Sequence, residues 1–166
     1  MQTIQENMNE LQGQLRIGAI QKAYKALLDY MMDLRTCFKS RYPSYSISGL
    51  YQGYMDMTYF AIIPPSLKHC GLKIAIVFNY EAFRFEVWLS GTNRQVQRKY
   101  WELFRDSRWT KYRVVTPAKG VDSIIEFNLA ENFNFGNLDG LTASIEENTV
   151  EFIDNIEKFI SDHETI

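Results

Sequence analysis

A chain of 166 residues, 46% hydrophobic and 23% charged with a formal net charge of −2, has the size and composition of one globular domain that buries its own core. Four prolines and nine glycines are too few for a disordered or low-complexity tract. The near-balance of charge excludes a surface given over to phosphate backbones, so nucleic acid stays a possible but unfavoured partner through a local basic patch.

Ile4, Met8, Leu11, Leu15, Ile20, Tyr24, Leu27, Met31, Leu34 and Phe38 recur every three to five positions and predict an amphipathic helix or two helices in line. Gly13 and Gly18 mark the weak point, and the slip in spacing between Leu15 and Ile20 predicts a bend or break there. Residues 1–12 are then a loosely packed helical extension of a single domain spanning 1–166, and a route to a homodimer through the N-terminal helix.

From Tyr45 to Ile63 the pattern turns to aromatic and β-branched residues in alternation, with Gly49 and Gly53 as turn or bulge positions and Pro64-Pro65 as a stop. Leu72–Phe78 and Phe83–Leu89 flank Asn79-Tyr80-Glu81-Ala82 as a hairpin. A helix follows from Thr92 to about Asp106, with Val96, Tyr100, Leu103 and Phe104 on its core stripe. Short strands near 111–116 and 121–130 form a second hairpin around Pro117 and Gly120. A last helix, capped by Asn137, keeps its period to near His163. The predicted fold is α+β, with an antiparallel sheet of five or six strands packed by helices in the order α-β-β-β-β-α-β-β-α.

The corner from Arg84 to Arg98 concentrates the chemistry. Arg84, Glu86 and Trp88 share one strand face, and Thr92 with Gln95 reads as a capping box around Asn93, Arg94 and Arg98. A helix N-terminus with added cations suits an anion, so Arg84, Trp88, Asn93, Arg94 and Arg98 are the candidate ligand-binding residues. The interleaved cations and aromatics of this helix would also suit stacked bases. Tyr45, Tyr51, Tyr54, Tyr59 and Phe60 are further candidates to line a pocket.

A second arrangement uses carboxylates. Tyr54, Asp56 and Thr58 alternate on one strand, and Asp122, Ile124 and Glu126 on another, so Asp56, Glu86, Asp122 and Glu126 could face one another as metal ligands if the strands are neighbours in the right register. A nuclease of the Asp, Glu-x-Lys type lacks its lysine here, with Lys73 the available substitute. His69 and His163 lack metal-ligand spacing, Cys37 and Cys70 have no CxxC partner, and no motif for a cofactor is present. No apolar run approaches the roughly 18 residues of a membrane span, so no membrane partner is expected. The polar N-terminus is unlike a signal peptide, and with two unpaired cysteines it points to a reducing cytoplasm.

Ser90-Gly91-Thr92-Asn93-Arg94, then Gln97, Lys99-Tyr100-Trp101, Phe104, Trp109 and Tyr112, with Asp122-Ser123-Ile124-Ile125-Glu126 and Leu138-Asp139 later, resemble a family of small bacterial proteins known as a domain of unknown function. The resemblance covers most of the chain and implies a bacterial, cytoplasmic protein, with no activity to carry over. The residues themselves favour a non-catalytic binding or interaction protein, whose small anionic or aromatic ligand sits at the strand-helix corner. The alternative is a metal-dependent hydrolase acting on nucleic acid or nucleotides, with Arg94 as its phosphate clamp.

Overall fold

The computed structural model of the protein describes residues 1–164. Gly18 takes a left-handed backbone at φ 82°, which glycine adopts without penalty, and divides the N-terminal helical run into α1 (Ile4–Ile17) and α2 (Ala19–Arg41). The break falls where the spacing of apolar residues slips. Beyond it come β1 (Ser46–Ile47), β2 (Met57–Ile63), α3 (Pro65–His69), β3 (Leu72–Asn79), β4 (Arg84–Gly91), α4 (Arg94–Asp106), β5 (Arg113–Val114), β6 (Ser123–Ala130) and α5 (Leu138–His163). Pro64-Pro65 ends β2 as expected, but Pro65 also opens the one-turn helix α3, because a proline's missing N–H is not needed at a first helical position.

The strands form one antiparallel six-stranded sheet in the order β1-β2-β3-β4-β6-β5. A turn at residues 80–83, one position later than expected and with Phe83 at φ 52°, sets β3 against β4 in continuous register from Leu72↔Gly91 to Asn79↔Arg84. β6 then enters beside β4 and leaves the two-residue β5 at the edge. The period of two gives the sheet two unlike faces. One carries Phe60 and Ile62 from β2, Ile74, Ile76 and Phe78 from β3, and Phe85, Val87 and Leu89 from β4, all with no exposed surface. It packs under the apolar stripes of α2 (Tyr30, Met31, Leu34, Phe38) and α5 (Ile145, Phe152, Ile156, Phe159). Each of these side chains contributes about 1.5–3 kcal/mol by leaving water, so this layer contact anchors the fold. α4 joins it through Phe104, whose ring stacks on Phe159 at 4.2 Å between centroids.

The opposite face has no helix laid across it and is built in cross-strand rows. Lys73, Ser90 and Ser123 form one row; Ala61, Ala75, Trp88, Glu126 and Arg113 the next; Tyr59, Val77, Glu86 and Asn128 the third; and Asn79 with Arg84 lies beyond. The small side chain of Ala75 beside the indole of Trp88 leaves a depression in this face.

Two expected strand faces differ from the observed ones. Tyr54 and Asp56 lie in the turn before β2, and Thr58 points to the core with no exposed surface. The alternation of residues 45–63 extends through a loop where Gly53 has φ 73°, so its period is not that of one strand. On β6 a register shift between Leu89 and Ser90 pairs Leu89 with Ile125 and Ser90 with Ser123, which makes Ile124 an extra residue. That bulge breaks the period of two, so Asp122, Ile124 and Glu126 do not form one row: Ile124 is buried, Asp122 reaches Arg94, and Glu126 accepts from Ser123.

Candidate functional site

β4 meets α4 at an abrupt corner. A Cβ built on Gly91 would lie 2.6 Å from the Gln97 nitrogen, so only glycine lets the first turn of α4 come down onto the strand end. The Thr92 N–H is still engaged in the sheet, donating to the Gly71 carbonyl at 2.9 Å. The helix therefore begins one residue later than the Thr92–Gln95 pattern predicts. Asn93 is the cap, its side-chain oxygen accepting from the Val96 N–H at 2.9 Å.

Gln97 fastens this corner to β6. It is 3% exposed, and its Nε2 donates to the carbonyls of Val121 at 2.9 Å and Ser123 at 3.4 Å. Its Oε1 accepts from Arg94 Nη1 at 2.9 Å. Arg94 also donates to the Val121 carbonyl at 2.7 Å and pairs with Asp122 at 3.6 Å. The guanidinium expected to clamp a ligand is thus engaged in bracing the segment before β6.

Between this corner and the open sheet face lies a cleft of about 260 Å³, lined by Met57, Tyr59, Lys73, Ala75, Val77, Trp88, Ser90, Gly91, Thr92, Asn93, Arg94, Gln97 and Asp122. Its lining combines apolar Met57, Ala75 and Val77, the rings of Tyr59 and Trp88, and the polar groups of the corner. Two cations, Lys73 and Arg94, face one carboxylate, Asp122, and that carboxylate pairs with Arg94. Half-buried Lys73 forms no ion pair among the described residues. Burial, and after it the nearby Tyr51 and Asp122, pushes the Tyr59 hydroxyl above its ordinary pKa, so it stays a neutral hydrogen-bond donor at neutral pH.

Trp88 is held in place along its own strand. Its indole N–H donates to Glu86 Oε2 at 2.8 Å, and Arg84 Nε donates to Glu86 Oε1, also at 2.8 Å. Glu86 is 3% exposed, so this is a buried carboxylate held between two close donors, with the Asn79 amide donating to Oε1 as a third at 3.4 Å. The indole is thereby fixed with one edge on Glu86 and the ring against the cleft.

Of the five residues expected to bind a ligand, Trp88, Asn93 and Arg94 gather at the cleft. Arg84 lies at the far end of the face in a separate hollow with Glu86, Arg113 and Glu126. Arg98 turns outward and pairs with Glu102 at 3.1 Å. The four candidate metal ligands are not brought together. Asp56 accepts from the Tyr54 N–H in its own turn, Glu86 is bound to Arg84 and Trp88, and Asp122 is paired with Arg94. Glu126 accepts from the Ser123 hydroxyl at 2.6 Å. Among the described residues no three His, Cys, Asp or Glu side chains stand close enough to hold a metal. His163 stacks on Phe159, and Cys37 and Cys70 are free thiols.

Lys73, expected only as a substitute nuclease lysine, and Ser90 and Gln97, which carry no expected site role, also line the cleft. The signal for Lys73 was present, because it is the one charged residue in the apolar run Leu72–Asn79. A cation inside such a strand has to find either a partner or an opening. A family model described as Domain of unknown function (DUF7000) matches residues 4–160, and the chain belongs to that family. No curated protein and no solved structure matches the chain.

Proposed function

We propose that this member of the DUF7000 family is a non-catalytic binding protein that holds a small anion with an aromatic or apolar body in the open-face cleft. The observation that carries the reading is Lys73, a half-buried ammonium without an ion pair among the described residues, opening onto the same cleft as the rings of Trp88 and Tyr59. An anionic group meeting Lys73 would gain a charge-assisted hydrogen bond, with the Ser90 hydroxyl in the same cross-strand row. A planar body would lie over Ala75 and Val77 against the indole. The cleft contains one carboxylate, already paired, and neither histidine nor cysteine, which favours retention of a ligand over turnover. The reading places the chain in a bacterial cytoplasm, whose reducing conditions suit two free thiols. No helix among the described residues is long and apolar enough to cross a membrane.

Isothermal titration with phenyl phosphate, inorganic phosphate and phenol tests the reading. Phenyl phosphate should bind more tightly than either fragment. Lys73→Met, which keeps the aliphatic stem, should weaken it about 10- to 100-fold, the equivalent of one hydrogen bond to a charged group. Equal affinity of wild type and K73M, or no binding of phenyl phosphate, would sink the proposal.

A further inference from the structure

We infer that the protein is a homodimer joined by antiparallel pairing of α1 with α1 of a second copy. α1 buries no residue and meets the rest of the chain chiefly at its junction with α2, and a 14-residue helix with so little packing is marginal in water. Its apolar side chains Ile4, Met8, Leu11 and Leu15 are 78%, 54%, 47% and 43% exposed. At about 100° per residue these four fall within an arc of roughly 60°, narrower than the stripe a helix lays on a sheet or broad groove. An arc this narrow is the seam by which one helix packs on another.

The seam also identifies its partner. Its spacings, four, three and four, read the same from either end. A twofold antiparallel pair therefore stacks Ile4 on Leu15 of the second copy and Met8 on Leu11, and closes every layer. The seam is flanked by Gln5, Asn7, Gln12 and Gln14, which bring no like charges together. Antiparallel pairing also opposes the two helix dipoles, whereas parallel pairing aligns them. Nothing lies within 4 Å of where a Cβ on Gly18 would project, so the hinge leaves α1 accessible. The contact is short, in the class of interfaces below about 1,200 Å² that associate weakly.

Sedimentation equilibrium of the whole chain from about 1 to 100 µM tests this. The mass should rise from 19.5 kDa towards twice that value. Leu11→Glu replaces an exposed side chain with a good helix former, so the fold stays intact and the midpoint should move at least tenfold to higher concentration. For the orientation, an equal mixture of Met8→Cys and Leu11→Cys chains should oxidise mainly to the mixed M8C–L11C disulfide, identified by peptide mass. A constant 19.5 kDa, or a dimer indifferent to L11E, would overturn the inference. Predominant M8C–M8C linkage would overturn the antiparallel arrangement.

Discussion

Glu86→Gln is the sharpest probe of how the cleft wall is held. The carboxylate offers one oxygen to Arg84 Nε and the other to Trp88 Nε1, each at 2.8 Å, at a site 3% exposed. A glutamine has one acceptor oxygen and one amide NH2, so one of the two donors must face another donor. Losing a hydrogen bond to a charged group costs about 1.5–3 kcal/mol. Arg84 is one-third exposed and has Glu131 at 3.9 Å as an alternative partner, which places the net loss near the lower half of that range, about 2 kcal/mol. In a domain of this length that is a fall in Tm of about 4–8 °C. Thermal and urea unfolding at neutral pH, followed by tryptophan fluorescence and circular dichroism, measures it. Repeating E86Q in an Arg84→Ala background should give a clearly smaller loss, because the pair is coupled. A change in Tm below about 1 °C, or the same loss with and without Arg84, would refute the strut.

Asn93→Ala should cost about 1 kcal/mol by uncapping α4, and Thr92→Ala much less, since Thr92 contributes its backbone to the sheet and no cap. Urea midpoints of the two variants separate the observed cap from a Thr92 capping box. Burial, reinforced by the Glu146 carboxylate, pushes the Tyr42 phenol up to about 12 from its ordinary 10.0. Tyr30, Tyr59, Tyr80 and Tyr112 are also raised, chiefly by burial. A raised folded-state pKa gives stability that is complete below pH 10 and drains away as pH climbs towards 12. Phenolate absorbance and circular dichroism should therefore show delayed tyrosine ionisation accompanied by unfolding in that window. Titration of all ten tyrosines near pH 10 with the fold retained would contradict it.

Local signals were legible in the sequence and non-local ones were not. The helix break at Gly18 and the Asn137 cap each depend on neighbours in the chain, and each is where the pattern places it; the hairpin is there too, with its turn one residue later, at 80–83, and Phe83 in the turn at φ 52°. The placement of β6 beside β4 depends on residues about forty positions apart, and no local spacing encodes it. The Ile124 bulge had the same character. It breaks the period on which a row of Asp122, Ile124 and Glu126 rested, and one such slip is enough to disperse a predicted carboxylate cluster. At the corner the sequence identified the right segment but not the roles within it. Arg94 looked free because its partners, the Val121 carbonyl and Asp122, arrive from β6. The opening beside Lys73 exists only once Tyr59, Ala75 and Trp88 come together from three strands, which no local spacing shows.

The measurement that tests the central claim most directly is a two-dimensional amide spectrum of ¹⁵N-labelled protein titrated with phenyl phosphate, read at the three tryptophan indole N–H signals. Trp88 faces the cleft, whereas Trp101 lies under Arg105 and Trp109 packs on Phe104 and Phe159. The account predicts that the Trp88 indole signal moves in a saturable manner, with the backbone signals of Lys73, Ser90 and Gly91, and that the other two indoles stay in place. Shifts confined to Trp101 or Trp109, or no saturable shift at Trp88, would contradict it.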